Sequence, residues 1–171
     1  MTMGKNDGAA TMAVLLDGVT DIPPGHVATI KTYLECRTPL RAASERPEGV
    51  ALARLRGRDV RRYRTIFATL GERWLWWSRL LLTEPELAAI LDDEAIEAHA
   101  VTMNGLDIGL LEWDRRDTAR PDLAFLGLYE HAAGRGIGSW LMRHTRQRLW
   151  TEGTEAITVN TCTLDSPHAL G

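Results

Sequence analysis

Three glycines at alternate positions, Gly134, Gly136 and Gly138, lie between an apolar run of strand length and a run of apolar residues at helical spacing. The first turn of a helix has free N–H groups and the positive end of the helix dipole, so such a junction can bind an anion. Glycines let a phosphate approach the backbone and permit positive φ, and Arg135 adds a positive charge. The spacing predicts a phosphate-binding loop, although a strand-to-helix turn that needs only flexible residues gives the same pattern.

Two common phosphate-binding loops do not fit these residues. The dinucleotide fingerprint requires Gly or Ala at its sixth position, but that position is Ser139 when counted from Gly134 and Leu141 when counted from Gly136. A P-loop requires Gly-Lys followed by Ser or Thr, and the sequence contains no such triplet. Both classes of nucleotide site are therefore excluded at this position.

The loop resembles the acyl-CoA loop of the GCN5-related N-acetyltransferases, whose motif is Gln/Arg-x-x-Gly-x-Gly/Ala. The stretch 133–138 is similar at both glycines and at Arg135, while Ala133 stands where Gln or Arg is usual. The flanking residues are similar to the family's fourth strand, third helix and fifth strand, at 123–129, 138–150 and 156–162. The resemblance implies an α/β fold with a mixed, mainly antiparallel sheet, helices on both faces, and fourth and fifth strands that splay apart.

The same resemblance implies acetyl-CoA as the co-substrate. In the family the pantetheine arm lies in the gap between the splayed strands and bonds to the main chain of the fourth strand. The implied contacts are Leu126, Gly127 and Leu128 on that strand, Gly134, Arg135, Gly136, Ile137, Gly138 and Ser139 in the loop, and Asn160 on the fifth strand. An exposed polar residue with no cofactor contact would look the same at position 160.

The resemblance further implies direct transfer of the acetyl group to a primary amine, on a small molecule or a peptide. Asp122 opens the fourth strand where the histone-acetylating branch of the family carries its catalytic glutamate, and Glu112 on the neighbouring strand is a second candidate base. A solvated surface carboxylate is the alternative interpretation of Asp122. His131 and His144 have suitable intrinsic pKa values but no support from their positions.

Members of the family continue beyond the fifth strand through a helix with a tyrosine that protonates the departing thiolate, and then a hairpin. Here the sequence stops at Gly171. We therefore expect a flexible N-terminus at 1–12 and one acetyltransferase-like domain at 13–171 that lacks the last helix and hairpin, with an exposed sheet edge. Tyr129 or solvent is then left as the proton donor. The alternative function is a non-catalytic CoA-binding or oligomeric partner module, and a homodimer is a further expectation.

The composition sets the remaining limits. The chain has 171 residues, 44% of them hydrophobic, and a net charge of −3, which gives no global attraction to nucleic acid or membrane. Cys36 and Cys162 lack metal-site or redox spacing, no metal site is predicted, and no apolar run approaches the roughly 20 residues of a membrane span. We expect a cytoplasmic protein. Nine arginines in 37–64 predict a solvated loop and a charged helix face, or a basic patch for an acidic partner.

The remaining elements follow from local patterns. Residues 27–35 predict a first strand, Asp59 is a predicted cap for a helix that ends at Gly71, and Thr83-Glu-Pro-Glu86 has the spacing of a capping box. Two strands at 95–103 and 106–113 flank Asn104-Gly105, a type I′ hairpin signal. Three tryptophans, at positions 74, 76 and 77, are either core residues or the lining of a substrate pocket.

Overall fold

A computed structural model describes residues 18–40, 45–167 and 169. One six-stranded sheet has the order β1-β6-β5-β4-β3-β2, and every neighbouring pair is antiparallel except β5 and β6. The sheet confirms the predicted mixed, mainly antiparallel architecture, in which the family's fourth and fifth strands are β5 and β6. The strands are β1 Lys31–Cys36, β2 Val50–Leu55, β3 Ile96–Met103, β4 Leu106–Asp114, β5 Asp122–Leu128 and β6 Ile157–Cys162.

In the described part of the chain, three α-helices cover the two faces of the sheet: α1 Val60–Gly71, α2 Glu84–Asp92 and α3 Ile137–Leu149. On one face, Tyr63, Phe67 and Leu87 of α1 and α2 pack on alternate residues of β3 and β4, such as Leu110. On the other face, α3 packs on the intervening residues, including Leu111, Trp113 and Leu123. Because strand side chains alternate between faces, β2, β3, β4 and β5 contribute to both cores.

Local sequence signals fix several of these elements. Asn104 and Gly105 have φ values of 52° and 83°, which is the left-handed pair that a type I′ turn requires between β3 and β4. The Thr83 hydroxyl accepts a bond from the Glu86 N–H, and the Glu86 carboxylate accepts one from the Thr83 N–H, so the predicted capping box starts α2. Asp59 is the N-cap residue of α1, as predicted, but its carboxylate accepts the Arg56 N–H across the preceding turn and no N–H of the helix.

The start of the chain differs from the prediction in two ways. The first strand begins at Lys31 and not at 27. Residues 50–55, which fall in the arginine-rich segment predicted as loop and helix face, form β2. Arg54 does not face solvent as a free charge there, because its guanidinium donates to the backbone oxygens of Ala98 and Ile96 on β3. Because β2 has only six residues and one of them is Arg54, the sequence did not show the alternation of apolar and polar residues that identifies a strand.

Strand β1 pairs with β6 along its whole length, from Lys31 opposite Cys162 to Cys36 opposite Ile157. The sheet edge that the sequence predicted at β6 is therefore covered by a strand from the start of the chain. After β1, the Thr38 oxygen accepts a bond from Arg146 of α3, and β2 lies at the opposite edge of the sheet. The predicted flexible N-terminus at 1–12 lies outside the described residues.

The close approach of β4 and β5 gives a first prediction. A Cβ atom at Gly109 would lie 2.3 Å from the Gly127 carbonyl oxygen, so Gly109→Ala must push two paired strands apart. We expect a loss of about 1–3 kcal/mol in the free energy of unfolding, measured by urea denaturation.

Gly138→Ala is the matched control, because a Cβ there meets only Leu128, at 3.9 Å, and the residue lies in a helix. That variant should stay within about 0.5 kcal/mol of the parent. Equal stability of the two variants would contradict the close packing of β4 on β5.

Candidate functional site

The parallel pairing of β5 with β6 stops after two residue pairs, Asp122 with Thr158 and Leu123 with Val159. A bulge lies next to this point, since Glu112 and Trp113 of β4 face Phe125 and Leu123, which leaves Ala124 as an extra residue in β5. A bulge bends its strand and increases its twist. From Ala124 to Leu128, β5 therefore has β4 on one side and a gap on the side of β6.

The glycine loop lies at the open end of this gap. Gly134 and Gly136 have φ values of 74° and 76°, and Gly136 is the N-cap of α3. These angles favour glycine, and a Cβ at either position would meet no atom within 4 Å, so the space above the loop is open. The N–H groups of Ile137, Gly138 and Ser139 occupy the first helical turn, where the helix supplies no acceptor. Arg135 is exposed beside Met103, with 3.5 Å between its Nη1 and the sulfur.

The three β5 residues predicted to face the cofactor, Leu126, Gly127 and Leu128, all lie along the gap and are half-buried. Gly127 has an additional packing role, because a Cβ there would lie 3.2 Å from Leu70 and from the Trp76 ring. The loop and the free strand edge are continuous, so the structure brings together the backbone groups that the sequence predicted.

At the closed end of the gap, Asp122 lies in a groove of about 390 Å³. Thr158 donates a 2.7 Å hydrogen bond to one oxygen of its carboxylate. Asn160, the predicted contact on β6, lines the same groove opposite Tyr33 of β1. Ile157 and Val159 pack with the α3 core, so the alternating Thr158 and Asn160 point to the α1 and α2 face.

The groove carries more negative than positive charge. Glu35, Asp114, Asp117 and Asp122 line it with Arg116 and Arg120, so four carboxylates meet two guanidinium groups. Arg116 pairs with Asp114 and Arg120 pairs with Glu35. Asp117 accepts the backbone N–H groups of Ala119 and Arg120, and neither it nor Asp122 has a salt bridge among those found in the described residues. This charge balance favours a cationic ligand.

Glu112, the second predicted base, is buried in the core and lies away from the groove. Its side chain is fully buried, and its two oxygens accept hydrogen bonds from the Tyr63 hydroxyl and the Arg79 guanidinium, both at 2.5 Å. Burial, then the Glu112 charge, raises the pKa of Tyr63 well above its ordinary value, so this hydroxyl stays protonated and donates. Because both of its oxygens are engaged inside the core, Glu112 is poorly placed to take a proton from a substrate.

The tryptophans are divided between core and surface. Trp76 packs against Phe67 and Phe125, and its Nε1 donates to Asp165 at 3.0 Å. Trp77 is 46% exposed, and none of the described residues that line the 390 Å³ groove is a tryptophan. The core interpretation is therefore the better one for Trp76.

Sequence reasoning missed the part played by Asp165 after β6. Besides Trp76, the Thr161 hydroxyl and the Cys162 N–H donate to its carboxylate. Burial alone would raise the pKa of Asp165, but these three hydrogen bonds outweigh burial and lower it. Its position one residue before Ser166-Pro167 gave only a turn signal, which could not identify Trp76 as a partner. Asp165 ties the end of β6 to the segment between α1 and α2.

Neither His131 nor His144 is among the described residues that line the Asp122 groove, and His131 lies in the turn after β5, beside the Tyr129 ring. His144 of α3 stacks on Trp140 at 5.3 Å, on the other face of the sheet, and burial, then nearby arginines, lowers its pKa. His99 is also on that face, where burial lowers its pKa to about 4. Tyr129, at the end of β5, is half-buried, and burial raises its pKa. Among the described residues, no group of three His, Cys, Asp or Glu could hold a metal, and no helix is long and apolar enough to cross a bilayer.

The buried pair of Arg79 and Glu112 gives a second prediction. Arg79→Met leaves a buried carboxylate without its cation, and we expect a loss of about 3–5 kcal/mol in the free energy of unfolding, measured with urea. Arg62→Met is the control, because it removes an Arg–Asp pair at the surface, where Arg62 donates two hydrogen bonds to Asp107. It should lower the free energy of unfolding by only about 0–1 kcal/mol. Similar losses in the two variants would contradict a desolvated Glu112 charge.

No protein-family model matches the sequence, and no curated protein matches it. Solved structures do match the fold. An aminoglycoside acetyltransferase from an uncultured soil metagenomic sample, in complex with sisomicin, is 16% identical, with a TM-score of 0.57 over 71% of this chain and 83% of that chain. A second aminoglycoside acetyltransferase from such a sample is 18% identical, with a TM-score of 0.53 over 64% and 78%.

A GCN5-related N-acetyltransferase from Kribbella flavida is 14% identical, with a TM-score of 0.50 over 77% of this chain and 47% of that chain. At these identities the similarity establishes the architecture alone. The chain has the fold of the GCN5-related N-acetyltransferases.

Proposed function

We propose that this protein transfers an acetyl group from acetyl-CoA to a primary amine by direct attack. The single observation that supports this most strongly is the gap beside β5, which joins the glycine loop at one end to the Asp122 groove at the other. Seven strand residues span roughly 20 Å, so one extended arm can run from a phosphate at the loop to the carboxylate.

The loop residues would hold the phosphates of the co-substrate. The N–H groups of Ile137, Gly138 and Ser139 and the positive end of the α3 dipole favour an anion, and Arg135 adds a charge from an exposed position. The free backbone groups of Leu126, Gly127 and Leu128 would bond to the arm as a neighbouring strand does. Asn160 would contact the arm from the β6 side. None of these proposed contacts uses the side chain at position 133, where this chain has Ala in place of Gln or Arg.

The groove residues would bind and deprotonate the amine. A protonated amine is attracted by the excess of carboxylates, and Asp122, directly or through a water, takes the proton that the nitrogen must lose before it attacks. The amine nitrogen then bonds to the thioester carbon, and a β5 backbone N–H stabilises the oxyanion. The carbon–sulfur bond breaks, and the nitrogen releases its second proton to solvent to give the amide. The thiolate takes a proton from solvent, because Tyr129 follows β5 at the loop end, roughly 20 Å along the strand from Asp122.

An assay over a panel of amines identifies the acceptor class. The similar structures include aminoglycoside acetyltransferases, one of them bound to sisomicin, and aminoglycosides are polycations that would suit a groove with excess negative charge. A panel of an aminoglycoside, a diamine and a peptide with a free N-terminus therefore covers small and peptidic amines. Release of the free thiol reports turnover for all of them.

Binding of acetyl-CoA provides a third prediction. Calorimetric titration should show micromolar binding by the parent chain, and Gly136→Asp should abolish it, because the variant strains a left-handed position and places a negative charge in the loop.

Gly153→Asp is the matched control, since Gly153 also has a positive φ, 85°, and no atom within 4 Å of its Cβ position, but lies in the turn before β6. Binding should survive in that variant. Retained binding by a folded Gly136→Asp chain would place the co-substrate elsewhere.

Loss of the proposed base provides a fourth prediction. Asp122→Asn keeps the size of the side chain and should lower kcat by about 10²–10⁴-fold with little change in the Kd for acetyl-CoA. Asp117→Asn is the control in the same groove, because an amide oxygen can still accept the backbone bonds that shape that turn, and its kcat should stay near that of the parent. An unchanged kcat in Asp122→Asn would remove Asp122 as the base. Binding without turnover of any amine by the parent would favour the non-catalytic CoA-binding module.

A further inference from the structure

The outer edge of β1 carries a row of free backbone groups. Ile30 bonds to Thr163 beyond the end of β6, through both its N–H and its oxygen. Backbone groups alternate in direction along an antiparallel strand, so Thr32, Leu34 and Cys36 face β6, while Lys31, Tyr33 and Glu35 face outward. Among the described residues, no strand pairs with this outer edge.

Apolar side chains accompany this free edge. Ile30 is 72% exposed, Tyr33 is 73% exposed and Leu34 is 40% exposed. An exposed edge strand with apolar side chains is a template for pairing with another chain, and proteins that stay monomeric usually block it. The edge of β1 has neither a proline nor a bulge within Lys31–Cys36.

We propose that a second copy of this chain pairs with this edge, antiparallel, about a two-fold axis at Tyr33. In this register the two Tyr33 residues exchange backbone hydrogen bonds, and Lys31 lies opposite the partner's Glu35, twice by symmetry. Opposite charges directly across a strand pair stabilise the pair. On the other face, Ile30 lies opposite the partner's Cys36, and Thr32 lies opposite the partner's Leu34. None of these pairs brings like charges together.

The charges of β1 select this register over its neighbours. An axis at Lys31 or at Glu35 would place two like charges opposite each other, which is destabilising. An axis at Thr32 would place Lys31 opposite the partner's Tyr33 and leave Glu35 beyond the paired residues. An axis at Leu34 would place Glu35 opposite the partner's Tyr33 and leave Lys31 beyond the paired residues. An axis between two residues would align outward-facing with inward-facing backbone groups and form no ladder. The axis at Tyr33 is the register in which both charges and backbone groups are matched.

Glu35 already has two cations, Arg37 at 2.6 Å and Arg120. Arg37 is 66% exposed, so its ion pair is weak, and the partner's Lys31 can share or replace it. Tyr33 and Glu35 also line the groove that contains Asp122. Pairing about Tyr33 therefore places the partner's Lys31 and Tyr33 at the rim of that groove, and the two grooves lie on one continuous sheet.

The test is the mass of the full chain in solution, measured by sedimentation equilibrium over a range of concentrations. We expect a concentration-dependent dimer. Lys31→Glu and Glu35→Lys should each raise the dimer dissociation constant about tenfold or more. Each variant brings two like charges opposite each other, and the two-fold axis makes this unfavourable pair occur twice in the dimer. The double variant Lys31→Glu with Glu35→Lys exchanges the charges and should restore the dimer. Arg58→Glu, a charge reversal at a side chain 85% exposed near α1, is the control and should not change the mass.

A backbone test separates pairing of the edge from general charge effects. Tyr33→Pro removes an outward N–H and no bond to β6, since proline is tolerated on the free side of an edge strand. We expect a folded monomer, with folding checked by circular dichroism. A monomeric parent at every concentration, which includes the case in which the chain's own first residues cover β1, would overturn the proposal. So would a dimer that persists in both Lys31→Glu and Tyr33→Pro.

Discussion

The break in the pairing of β5 with β6 is the constraint on which the rest of the structure depends. A sheet normally continues its ladder, because unpaired backbone groups in a protein interior are costly. Here the extra residue Ala124 bends β5 away after two residue pairs, and the backbone of 124–128 is left available to a ligand. The glycine loop is useful only because it follows this free edge directly. The bulge thus makes a strand edge and a helix N-terminus into one continuous candidate site.

Holding a sheet open requires that its other contacts be firm. Arg79 and Trp76, both in the segment between α1 and α2, make those contacts. Arg79 binds buried Glu112 of β4 and lies over the Phe125 ring at 5.4 Å, while Trp76 packs on Phe125 and reaches Asp165 beyond β6. One segment is therefore fastened to β4, to β5 and to the far side of the gap. Such buried polar contacts are poor sources of net stability but specify geometry well in some systems.

The sequence predicted the elements whose signals are local. The Asn104-Gly105 turn, the Thr83 capping box and the strand–loop–helix at 122–149 depend on residues that are close in the chain, and the structure has all of them. It did not predict β2, because Arg54 interrupts the apolar pattern and is satisfied only by carbonyls of β3. The partner of Glu112 was equally hidden, since Arg79 is 33 residues away. The sequence pattern around a carboxylate in a strand is the same whether the carboxylate is buried with a cation or exposed in a groove.

The groove illustrates why the site could be predicted only in part. Its β5 and β6 residues, Asp122 and Asn160, follow from the position of the loop, but Tyr33 and Glu35 come from the opposite end of the chain through the pairing of β1 with β6. That pairing leaves no trace in local sequence. It also means that the strand nearest the proposed acceptor site is the outermost strand of the sheet. A partner that extends the sheet at β1 would therefore act on the groove as well, because the proposed dimer interface and the proposed acceptor site share Tyr33 and Glu35.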